Sequence, residues 1–148
     1  MNLKNQKGFT LLEVLVAIVI LSIGLLGVAA MQTTAILGNT SAMNRSRAIG
    51  FAEEMADRIR VNAGTTPNIY NGIDTRVVVC VGSEPALGDC NQWQARLSTP
   101  GLPNAFGTVA VQMDSPISKT ATITVTVTWG IGATGSVTFT TIMETWLT

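Results

Sequence analysis

The chain has 148 residues, 47% of them hydrophobic and only 12% charged, with no histidine at all. That length holds one modest domain plus an anchor, and the missing histidine removes the commonest general base. Lysine and arginine balance aspartate and glutamate at nine each, so there is no basic excess to grip nucleic acid.

Lys4 and Lys7 precede an apolar run from Phe9 to Met31. The run is about 23 residues long, where roughly 20 suffice to cross the hydrocarbon core of a bilayer. No proline interrupts it. Two lysines ahead of it, with no acid before Glu13, favour a cytoplasmic amino terminus and a periplasmic bulk. Gly24 and Gly27 suit close helix approach or are merely tolerated in lipid. Glu13 is the anomaly. A charge within a membrane helix costs roughly 2.5–3.5 kcal/mol on insertion scales, so this carboxylate asks for a partner at its own depth. A plain anchor leaves it unexplained. So does a secretory signal cut near Ala29 or Ala30, which also calls for a shorter apolar core of about 7–15 residues.

The helix is expected to continue past the membrane. Proline is absent from Gln32 to Val61, and Ala48, Ala52, Met55 and Ile59 keep one helical stripe, widened by Phe51. Glu54 and Arg58 form an i,i+4 pair in the favourable order. Gly38-Asn39 and Gly50 are weak points. Asn62-Ala63-Gly64, with Pro67 soon after, reads as a stop. A helix from Phe9 to about Asn62 is on the order of 80 Å long. No head of this size buries all of it, so its first half must find lipid or other protein.

Residues 62–106 are rich in glycine and proline, and turns dominate. Arg76 to Val81 reads as a short strand. Asp89 or Asn91 is placed to cap a short helix through Trp93, Ala95 and Leu97, ended by Pro100-Gly101. Trp93 reads as a core residue. Cys80 and Cys90 are the only cysteines. In an exported chain they are expected to pair, and closing so short a loop stabilises by about 3 kcal/mol in the chain-entropy model. Free buried thiols are the alternative. Two cysteines without histidine make a zinc site a poor fit.

The last third alternates as strands do. Gly107 to Met113 is one, and Thr120 to Trp129 another, with Ala121, Ile123, Val125, Val127 and Trp129 on one face and threonines on the other. Gly130 to Gly135 makes a turn, and Ser136 to Met143 returns with Val137 and Phe139 on one face. The apolar face needs a cover, and the 48–59 helical stripe supplies one. The expected class is α+β, a long amino-terminal helix laid across a small antiparallel sheet.

Lys7, Gly8, Phe9, Thr10, Leu11, Leu12 and Glu13, followed by an unbroken apolar helix, resemble the class III signal of type IV pilins and their relatives. The resemblance implies that a prepilin peptidase cuts after Gly8 and methylates the new amine of Phe9. It implies that Glu13 neutralises the amino terminus of a neighbouring subunit during assembly. The blocks Ser22–Gln32 and Ala52–Asn62, then paired cysteines, a tryptophan-bearing helix, Leu102-Pro103-Asn104 and a meander, are similar to PilV-type minor pilins. Major pilins commonly carry a proline in the anchor, at a site that is Ala30 here, and keep their cysteines nearer the carboxyl end.

The domain organisation that follows is a leader over 1–8, a transmembrane and assembly helix over 9–31, its amphipathic continuation over 32–62, and a periplasmic head over 63–148. The implied partners are the prepilin peptidase, other minor and major pilins, the inner-membrane assembly machinery and inner-membrane lipid. The implied role is in initiating pilus assembly, with attachment and twitching motility dependent on it, and the implied location is the inner membrane and then the pilus. No cofactor is expected. No nucleophile elbow, phosphate loop or zinc helix motif occurs, so no enzymatic activity is expected. Glu53, Glu54 and Asp57 read as a solvated face, and Asp114 stands almost alone as a calcium ligand. A minor pseudopilin of a type II secretion system is the rival within the same architecture. A membrane-tethered periplasmic binding protein that never polymerises is the rival from another class.

Overall fold

Helix α1 runs from Leu11 to Asn62, 52 residues without a break. The structure is a computed structural model, and it describes residues 9–64, 66–77, 80–99 and 101–145. The glycines at 38 and 50 leave the helix intact. Neither meets any neighbour that a side chain would touch, so each costs propensity alone. After α1 come a 3-10 turn (Pro67–Tyr70), helix α2 (Ala86–Leu97) and strands β1 (Phe106–Met113), β2 (Thr120–Trp129) and β3 (Gly135–Glu144).

The molecule divides into two compact units, one up to Ser41 and one from Ala42 onward. In the first, helix α1 is exposed throughout. An 18-residue window of it has a mean hydropathy of 2.8, long and apolar enough to cross a membrane. The hydroxyls of Ser22, Thr33, Thr34 and Thr40 each donate to the carbonyl four residues back. They thus carry no unmet polar demand into an apolar setting.

The second unit is α+β, with α1 packed on a three-stranded antiparallel sheet of order β1-β2-β3. The expected stripe is what α1 buries: Ala48, Ala52, Met55 and Ile59, joined by Ala56. β2 is the central strand, and Ala121, Ile123, Val125 and Val127 are buried on its core side. Register is continuous, from Phe106↔Thr128 to Met113↔Ala121 on one side and from Thr120↔Glu144 to Trp129↔Gly135 on the other. Trp93 is fully buried, and its indole N–H donates to the Phe51 carbonyl at 3.0 Å, fastening α2 to α1.

Two local expectations need correction. The run expected as a strand at 76–81 lies partly outside the described residues. Arg76 and Val77 form turn and bend, and Val81 is 84% exposed. It is Asp74 that bridges to Thr108 on the outer side of β1. Asp89 and Asn91 cap nothing: α2 begins at Ala86 behind Pro85, so both lie within the helix. Leu87 and Asp89 donate backbone N–H groups to Ser83 and Pro85 carbonyls in its first turn.

Candidate processing and assembly site

Phe9 and Thr10 lead into α1, and Thr10 is its cap. The Glu13 N–H donates to Thr10 Oγ1 at 3.3 Å, and the Val14 N–H to the Thr10 carbonyl at 3.3 Å. Thr10-Leu11-Leu12-Glu13 is thus a T-x-x-E start with glutamate at the third helical position. A carboxylate there also meets the positive end of the helix dipole. This local role was missed when Glu13 was read only as a charge in lipid, although its signature stood in the sequence.

Phe9, Glu13, Ala17 and Leu21 share one face, bordering a shallow apolar groove with Val14 and Ile18. Phe9 is 84% exposed and Glu13 is exposed. Among the described residues, the next charge along the helix after Glu13 is Arg45. Glu13 therefore stands as a lone acid at the head of a long stretch of helix with no other charge before Arg45. Gly8, the residue after which cleavage is expected, lies outside the described residues.

The other expected pair sits in the second unit, where Cys80 and Cys90 form a disulfide. It ties the chain ahead of α2 to the first turns of that helix. Beside Cys90 is a polar hub that sequence reading did not find. Asp89 is 5% exposed. Its Oδ2 accepts from Tyr70 Oη at 2.5 Å and Asn62 Nδ2 at 2.8 Å, and its Oδ1 from Arg58 Nη1 at 3.3 Å. One carboxylate so joins the end of α1, the 3-10 turn and α2. Burial, and then the bond to Asp89, push the Tyr70 phenol well above its ordinary range.

Two of the acidic residues of α1 are paired. Glu54 binds Arg58 at 2.9 Å and Arg96 at 2.9 Å, and Asp57 binds Arg60. Asp114 has a local task, accepting the Lys119 N–H at 3.0 Å in the β1–β2 loop. Among the described residues, no group of three or more acidic or cysteine side chains is arranged to hold a metal.

Two stretches of the chain match known family models. Residues 3–29 match the family model of the prokaryotic N-terminal methylation motif. Residues 30–94 match the family model described as type IV pilin Tt1218. No curated protein and no solved structure matches the chain. The matched stretches carry α1, the disulfide and most of α2, and all three strands lie beyond them. Over these two stretches the chain is thus similar to the prepilin methylation motif and to a type IV pilin domain.

Proposed function

We propose that this chain is a minor pilin of the PilV type, which takes part in initiating assembly of a type IV pilus. The observation that carries the reading is Glu13, a lone acid one turn after Phe9 at the start of an exposed stretch of helix that holds no other charge before Arg45. As a prepilin it waits in the inner membrane with its amino terminus inside and its head in the periplasm. The Cys80–Cys90 disulfide supports that topology, because such bonds persist on the oxidising side.

Cleavage after Gly8 removes Lys4 and Lys7 and creates a new charge, the Phe9 amine, immediately ahead of the capping Thr10. In hydrocarbon that amine and the Glu13 carboxylate are each costly alone, and opposite charges at a common depth offset the penalty. A subunit docking beside another brings its amine to the neighbour's Glu13. Apolar faces of neighbouring helices replace lipid around the residues from Val14 on, and the heads form the outer surface. The chain is the substrate of the peptidase and carries out no reaction itself.

Glu13→Val tests the pairing. The variant should be cleaved and methylated as usual, because the peptidase acts five residues upstream in the sequence, yet reach sheared fibres at a small fraction of the parent level. The ratio of fibre-bound to membrane-bound chain by immunoblot gives the answer. Incorporation equal to the parent would rule out charge pairing as the assembly contact.

A further inference from the structure

The disulfide closes the chain from Cys80 to Cys90 into a ring. Cys80 is buried, but Val81, Gly82, Ser83 and Glu84 after it are all exposed, so the S–S bond ties this stretch to the core. The same stretch starts α2. Leu87 and Asp89 donate backbone N–H groups to the carbonyls of Ser83 and Pro85, and the Gly88 N–H donates to Glu84 Oε2 at 3.1 Å. The first turn of a helix finds few partners for its N–H groups within itself, and the Glu84 carboxylate also meets the positive end of the helix dipole. The first turn of α2 therefore leans on residues 83–85, and these lean on the disulfide. The later turns are held by other means. Trp93 is fully buried and donates to the Phe51 carbonyl, Gln94 Nε2 donates to the Thr75 carbonyl at 3.0 Å, and Leu97 is buried.

Asp89 belongs to that first turn. Among the described residues, Tyr70 Oη and Asn62 Nδ2 bond to Asp89 alone, whereas Arg58 also holds Glu54 and Gln92. Tyr70 is fully buried, so losing Asp89 strands a buried hydroxyl. We infer that the Cys80–Cys90 bond is a redox switch acting on this polar hub. Closed, it fixes the first turn of α2 and holds Asp89 against Tyr70 and Asn62. Reduced, it frees that turn and opens the hub, while the later turns of α2 and the sheet stay folded. Reduction takes two electrons and two protons from an external dithiol, which closes to its own disulfide and leaves Cys80 and Cys90 as thiols. A disulfide oxidant runs the step in reverse. In a reducing compartment the hub is open, and in an oxidising one it is shut. The coupling is reciprocal: a hub that the bond stabilises must stabilise the bond by the same factor. All the groups involved lie in the second unit, so the inference stands apart from the pilin reading.

The test compares the full chain in detergent micelles with the bond intact and after reduction by dithiothreitol. On reduction the amides of Leu87, Gly88 and Asp89 should exchange on the order of a hundredfold faster, the effect of releasing so short a ring. The Tyr70 phenol should titrate closer to its ordinary value of 10.0, and the amides of the central strand β2 should exchange as before. A second arm reads the coupling from the other side. Tyr70→Phe removes one hub bond without emptying the core, and the Cys80–Cys90 bond of this variant should be reduced about fivefold more readily at equilibrium with dithiothreitol. First-turn exchange and Tyr70 titration that ignore the reduction overturn the proposal. So does a loss of β2 protection along with them, since the bond then holds the whole core rather than the hub. A reduction equilibrium untouched by Tyr70→Phe overturns it too, because hub and bond are then uncoupled.

Discussion

Gly107 lies on β1 directly under the Trp93 ring, and a Cβ there would overlap Trp93 Cη2. The indole is fully buried and held by its bond to Phe51, so it has no room to yield. Gly107→Ala should destabilise the head by about 1–3 kcal/mol, the usual cost of overpacking, read as a lower denaturant midpoint. An unchanged midpoint would mean that α2 shifts freely on the sheet. Tyr70 sets a different test. Its phenol is raised above the ordinary value of 10.0 by burial and by Asp89, so the folded chain holds this proton more tightly than the unfolded one. The contribution is whole below pH 10.0 and is lost as pH rises from there through the native value. Tyr70→Phe should flatten that alkaline decline while lowering stability near neutrality. A decline as steep as the parent's would assign it to other groups.

At the scale of elements, what each segment buries decides how much of it was legible. The α1 stripe and the alternation of β2 were readable because burial follows one period over many residues: Ala48 to Ile59 on the helix, Ala121 to Val127 on the strand. The run Arg76 to Val81 misled because β-branched residues suggest a strand wherever they stand, whereas pairing depends on what lies opposite. Val77 and Val81 are exposed, and Asn71 to Thr75 take the β1 edge instead. Asp89 misled for a related reason. An aspartate near a helix start looks the same as a cap or as a buried hub, and only the approach of Arg58, Asn62 and Tyr70 separates them. The Thr10 cap went unread because the charge of Glu13 drew the whole explanation. The Cys80–Cys90 bond is a further test at this scale, since it pins the loop beside the Asp89 hub. Replacing both cysteines by serine should lower head stability by about 3 kcal/mol, seen as a lower Tm with the sheet signal retained. A loss of all folded signal would show that the bond is required for the core rather than for this corner.

Across the whole chain, charge divides the labour. Between Glu13 and Arg45 there is none, and from Arg45 onward acids and bases are interspersed and several of them pair with each other. The first unit is suited to lipid or to other apolar helices, the second to water. In the proposed function these demands meet at the peptide bond between Gly8 and Phe9, whose cleavage would provide the amine proposed to pair with Glu13. Intact-mass and peptide mass spectrometry of the chain, taken from membranes and from sheared fibres, tests this most directly. The mature form should begin at Phe9 and carry one methyl group on its amine in both fractions. A chain that still begins at Met1, or one that begins beyond Met31 with the apolar helix removed, would contradict it.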